Sequence, residues 1–127
     1  MLRALIAGAC YGLAVFLLAV PLGPIRVFFV MPRIGSVPAM VAEVIVVLAL
    51  AWFLAGGLAR WLAVPPRVPQ RALMGAVALA AVLIGEVIVS LIMGRSFALH
   101  LAAYAAVDKQ IGLLGQLLFA AFPLLRR

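Results

Sequence analysis

The sequence predicts an all-α, polytopic integral membrane protein. Three observations carry that expectation: an apolar excess too large for water, four apolar runs of about spanning length, and cations that cluster at the ends of those runs. The hydrophobic fraction is 69% and the charged fraction 10%, where a soluble domain runs about 45–50% apolar and about 25% charged. A chain of 127 residues makes one small domain, and small domains leave a large share of their surface outside the core. Lipid is the solvent that accommodates so much apolar surface, and the bilayer is therefore the first partner the composition implies.

A spanning helix needs about 20 mostly apolar residues. The runs fall at about 4–22, 37–58, 72–94 and 110–125 of a single membrane domain covering 1–127. The first is closed by Pro21, Gly23 and Pro24. The apolar run reaches Val20, too long for a signal-peptide core of about 7–15 residues, so it reads as a retained helix. The second has Pro38 in its first turn, where a missing N–H does no harm, and Gly56-Gly57 loosens its end. The third is uninterrupted. The fourth is short and spans if its ends snorkel or the bilayer thins.

The segment 63–71 holds three prolines and two arginines and reads as a cytoplasmic loop between helices two and three. Two other connectors, 23–36 (GPIRVFFVMPRIGS) and 96–108 (SFALHLAAYAAVD), are too apolar for solvated loops. They read as interfacial or re-entrant segments after helices one and three, since irregular backbone at membrane depth survives only where protein or water satisfies it. Arg3-Ala4-Leu5 and Arg71-Ala72-Leu73 open the two halves alike, a faint sign of duplication. Arg3, Arg60, Arg67, Arg71, Arg126 and Arg127 would share one side of the membrane, and Arg26, Arg33, Arg95 and Lys109 the other. The positive-inside rule then places both termini in the cytoplasm.

The net charge of +7 is spread in ones and twos, with no basic stripe or aromatic platform of the kind nucleic acid requires. The charges within the membrane are more informative. Glu43, Glu86 and Gln116 each fall six to eight residues from the outer end of a helix, roughly 10 Å deep at 1.5 Å rise per residue. Arg26, Arg33, Arg95 and His100 lie near the same side. A charge in hydrocarbon costs about 2.5–3.5 kcal/mol even on the gentler insertion scale, so the two glutamates must be neutral, paired or wet. The expectation is an outer polar cluster of Arg26, Arg33, Glu43, Glu86, Arg95, His100 and Gln116, with the arginines meeting the glutamates.

His100 has no second His or Cys at ligand spacing, so a metal site is not expected. Ser90 or Ser36 with His100 lacks the elbow motif of a nucleophile. Gly8 and Gly12 form a GxxxG pair, and Ala81 with Gly85 gives helix three a similar small-residue face. Such faces serve close packing within a chain or between copies. Trp61 suits an interfacial anchor and Trp52 reads as packing. The single cysteine, Cys10, cannot form an internal disulfide.

Arg26-Val27, Pro32-Arg33, Gly35, Ala42-Glu43, Gly94-Arg95-Ser96 and His100-Leu101 resemble a group of small uncharacterised bacterial inner-membrane proteins. That resemblance implies four helices and an inner-membrane location, and no activity. Small multidrug-resistance transporters share the helix count, but their essential glutamate lies in the first helix, which here has none. The leading functional expectation is a non-enzymatic packing or accessory component of a homo-oligomer or larger membrane complex, without a cofactor. The alternatives are a small oligomeric transporter or channel using Glu43 or Glu86, and binding or processing of an anionic lipid headgroup by the outer arginines.

Overall fold

Helix is the only regular structure in the computed structural model, which describes residues 1–126. Arg127, one of the cations counted toward orientation, lies outside the described residues. The elements in chain order are α1 (Leu2–Ile25), a five-residue π-helical stretch (Arg26–Val30), α2 (Met31–Ile34), α3 (Ser36–Trp61), α4 (Val68–Ile92), α5 (Phe97–Ala102), a short 3₁₀ turn (Ala103–Ala105) and α6 (Val107–Leu125). Three helical stretches are long and apolar enough to cross a membrane: Leu2–Ile34, Ser36–Trp61 and Val68–Ile92. The fourth apolar run is the 19-residue α6, which carries Asp108, Lys109 and Gln110 in its first turn.

The connector expected at 23–36 is corrected. Helix does not stop at Leu22 but runs on to Ile34, through Pro21 and Pro24. A proline removes one backbone donor, and two such losses do not outweigh the apolar packing around them. The wide turn follows directly, with the Met31 N–H bonded to the Arg26 carbonyl five residues back. Gly35, at φ 91°, then supplies the left-handed turn into α3. The second connector is also helical, as α5 and the 3₁₀ turn. The loop expected over 63–71 is shorter, because Pro69 occupies the first turn of α4, where its missing N–H costs nothing. Gly56-Gly57 does not end α3, which continues to Trp61.

Both ends at that loop and at the α4–α5 turn close with the same backbone device. The Val64 N–H reaches the Ala59 carbonyl and the Ala63 N–H the Arg60 carbonyl, at 2.8 and 3.2 Å. The Arg95 N–H reaches the Ser90 carbonyl and the Gly94 N–H the Leu91 carbonyl, at 3.0 and 3.1 Å. This is the Schellman pattern, which satisfies carbonyls left over at a helix end. It also turns Arg95 back beside the last turn of α4.

In the packing, α1 lies against α4 and α3, and α6 against α4 and α3. The α1–α4 contact is made by small residues. A methyl placed on Gly8 would sit 2.6 Å from the Met74 carbonyl oxygen, and one on Gly12 2.6 Å from that of Ala78 and 2.9 Å from the Ala81 Cβ. Gly85 faces the Phe16 ring. The two small-residue faces are thus used within the chain, Gly8 and Gly12 against the backbone of α4 and Gly85 against the Phe16 ring. The buried core beneath is largely alanine, with Ala4, Ala7, Ala51, Ala55, Ala59 and Ala78 around Tyr11, Met74 and Phe119. Phe28, Phe53 and Ile92, by contrast, are each 71–79% exposed.

One bond crosses the centre. Pro123 has no N–H to give the Phe119 carbonyl four residues earlier. The Tyr11 hydroxyl donates to that carbonyl instead, at 2.7 Å, in a buried contact between α1 and α6. The two rings meet edge to face, their centroids 5.2 Å apart. Tyr11→Phe should therefore cost about 1–2 kcal/mol in detergent unfolding. In a Pro123→Ala background the cost should shrink, because an alanine at that position restores the helical donor; equal costs in the two backgrounds would contradict this account of the bond.

Candidate functional site

The polar residues that sequence places at similar depth converge on one cavity of about 550 Å³. Its walls come from α1, α3, α4 and α6, with Arg95, His100 and Tyr104 contributed by the α4–α6 connection. Six of the seven residues anticipated for the outer cluster line it: Arg26, Glu43, Glu86, Arg95, His100 and Gln116. Arg33 does not; it is exposed on α2. Ser90, Tyr104 and Lys109 complete the polar rim.

The lining is graded by depth. The helices α1 and α4 run in one direction and α3 and α6 in the other, so rise per residue orders each wall. Val15 and Phe16, Val47 and Leu48, Val82, and Phe119 form the deep end, just above the Tyr11–Phe119 bond. Every titratable group of the lining belongs to the opposite end.

Within the rim the groups form separate sets. The π turn delivers Arg26 to α3, where its Nε donates to Glu43 Oε2 and its side chain passes 3.8 Å from the Met31 sulfur. This is the single salt bridge among the described residues, with both side chains about 15% exposed. A smaller cavity of about 150 Å³ lies against the same pair. Breaking up such a pair by removing one member leaves a poorly solvated charge, which costs more than removing both.

Glu86 is held differently. Gln116 Nε2 donates to its Oε1, and the Tyr104 hydroxyl to its Oε2 at 3.4 Å. Both partners are neutral. Burial, with the Glu86 carboxylate beside it, pushes the Tyr104 hydroxyl above its ordinary range, so it remains a donor. The Tyr104 ring packs edge to face with His100, and the Lys109 ammonium sits 5.9 Å from its centre. Gln116 Oε1 is buried without a hydrogen-bond partner.

Ser90 Oγ lies 2.7 Å from His100 Nδ1, and both residues are buried. The bond ties α5 to the last turn of α4. Its origin is local: Gly94 reverses the chain and Ser96 caps α5 by accepting from the Leu99 N–H at 3.2 Å. Together these bring His100 back over Ser90. Among the described residues no three His, Cys, Asp or Glu side chains converge as a metal site would require.

At the opposite end of the molecule lies a residue that sequence reasoning treated only as a topological charge. Arg71 is buried, and its guanidinium donates to the carbonyls of Val64, Pro65, Pro123 and Arg126 at 3.2–3.4 Å. It fastens the α3–α4 loop to the end of α6. Arg126 stacks over Trp52, 4.9 Å from the ring centre, in the room that Gly56 leaves.

No family model, curated protein or solved structure matches the chain. The geometry of the cavity therefore carries the functional reading. Arg26→Met should destabilise the protein in detergent unfolding by about 1–3 kcal/mol, below the fully buried range because the pair is partly exposed. Arg26→Met with Glu43→Leu should recover most of that loss; a double variant less stable than the single would show that the pair is not what Arg26 contributes.

Proposed function

We propose that this chain is an integral membrane protein of four spanning helices that holds an amphipathic, lipid-like molecule in its outer cavity. The observation that carries the reading is the graded lining: one end of a 550 Å³ cavity is charged and hydrogen-bonding, the other purely apolar. Ligand sites commonly occupy about 300–1,000 Å³, with mostly apolar walls and a few polar groups that fix orientation. An amphiphile would lay its tail against Phe16, Leu48, Val82 and Phe119 and leave its headgroup among Arg95, Lys109 and the other rim groups.

In this reading α6 is the fourth span, Arg126 lies with Arg3 and Arg60 on the cytoplasmic side, and α2 and α5 rest at the outer surface. The large exposed apolar side chains support a lipid surround, since that much apolar exposure is unfavourable in water. The proposal includes the bacterial inner membrane as the location, on the resemblance noted from the sequence. The transporter alternative is narrowed to Glu86, because Glu43 already has Arg26. A purely structural role leaves a cavity of this size unexplained.

Gly112 offers a clean test. It lines the cavity, and a Cβ added there meets only the Met40 thioether, at an ordinary contact distance of 3.6 Å. Gly112→Phe should obstruct the cavity, since its Cβ is accommodated at ordinary contact distance. Native mass spectrometry of the parent from mild detergent should show one retained amphiphile per chain, and the variant should lose it while still unfolding cooperatively. Equal retention in both proteins, or none in the parent, would overturn the proposal.

A further inference from the structure

The rim specifies more than an anionic headgroup. Two acceptors converge in it with no cation in direct contact, since Lys109 acts on Glu86 only from beyond salt-bridge distance. Glu86 is bonded only to the neutral Gln116 amide and Tyr104 hydroxyl. Gln116 has its Nε2 committed to that carboxylate, which leaves its Oε1 buried and unpartnered. Rotating the amide would not help, because it would set oxygen against oxygen. An unmade hydrogen bond at a buried acceptor costs about 1–3 kcal/mol, so the pair calls for a donor, and beside a carboxylate a positively charged donor fits best.

Two cations stand in the same rim, Arg95 exposed and Lys109 half-buried. Among the described residues neither Arg95 nor Lys109 has a carboxylate oxygen within 4.0 Å. Asp108, next in the chain to Lys109, accepts from the Lys109 backbone N–H at 3.0 Å. Tyr104 separates the two halves of the rim, touching Glu86 with its hydroxyl and facing Lys109 with its ring. Glu86 at the Tyr104 hydroxyl and Lys109 over the Tyr104 ring thus stand on either side of one side chain, above an apolar floor.

We propose that the occupant is a zwitterionic phospholipid with a primary ammonium, of the phosphoethanolamine class. Its ammonium bonds Glu86 and Gln116 Oε1, its phosphate meets Arg95 and Lys109, and an acyl chain follows the apolar wall. A primary ammonium has N–H groups to give both acceptors. A trimethylammonium headgroup carries the charge but no N–H, and a glycerol headgroup has hydroxyl donors but no positive charge. The inference rests on the amphiphile-binding reading and deepens it.

The test is a competition. The full chain in mild detergent is offered equal amounts of phosphatidylethanolamine, phosphatidylcholine and phosphatidylglycerol with matched acyl chains, and native mass spectrometry reads the bound fractions. The ethanolamine lipid should lead each of the others by about tenfold, the factor a charge-assisted hydrogen bond supplies. Glu86→Gln should bring the three to near parity while total retention persists, and Gln116→Met should shift them the same way. Arg95→Ala with Lys109→Ala should lower retention of all three.

Retention that Gly112→Phe abolishes, but with the glycerol or choline lipid equal to or ahead of the ethanolamine lipid, would overturn the headgroup assignment and leave the binding site standing. A preference unchanged in both Glu86→Gln and Gln116→Met would also overturn it. If no phospholipid is retained, or if Gly112→Phe does not reduce retention, the amphiphile reading itself fails. Melting temperatures identify a variant that has not folded, and the second acceptor variant then decides.

Discussion

The structure turns on a donor that is missing. Pro123 cannot bond the Phe119 carbonyl, and in an interior this apolar no water stands ready to do so. Tyr11 reaches across from α1 to supply the bond. The pair that results closes the floor of the cavity and sets the spacing of two helices whose backbones do not otherwise approach. Pro123 has a second consequence, because its own carbonyl is one of those that buried Arg71 takes up. One residue without an N–H thus organises contacts both at the floor of the cavity and at the end of the bundle.

Two different solutions to the same constraint divide the molecule. At one end the backbones approach through glycine and alanine, and the buried guanidinium of Arg71 donates to carbonyls of the α3–α4 loop and the end of α6. Toward the other end the walls of the cavity pass from apolar to polar, and space remains. The change occurs between Gly12 and Phe16 on α1 and between Ala78 and Gly85 on α4. Between α1 and α4 the cavity opens where Gly12 gives way to Val15 and Phe16.

Much of this was legible in the residues. The apolar runs gave helices, and counting residues from the helix ends placed Glu43, Glu86 and Gln116 at one depth. The small-residue faces were visible, though their use within the chain was not. Other features resisted reading for physical reasons. Pro21 and Pro24 look like a helix end, yet the loss of single hydrogen bonds was absorbed and a π turn followed. Arg71 looks like a loop cation, because nothing nearby reveals that distant carbonyls at the end of α6 will need donors. Ser90 and His100 are ten residues apart with no motif between them, and only the reversal at Gly94 joins them. Arg33 shares its depth and charge with Arg26 but lies past the π turn, on a part of the helix that does not face the cavity.

Accessibility tests the division of the molecule most directly. With Cys10 replaced by serine, single cysteines can be placed at Gly112 in the cavity and at Ala78 below its floor. Each can then be exposed, in sealed membranes of known orientation, to a membrane-impermeant maleimide. Cysteine at 112 should react from one face only and be protected by added phospholipid, and cysteine at 78 should stay unreactive from both faces. Labelling of both positions alike, or of position 112 from both faces, would contradict a one-sided cavity closed by the Tyr11–Phe119 bond.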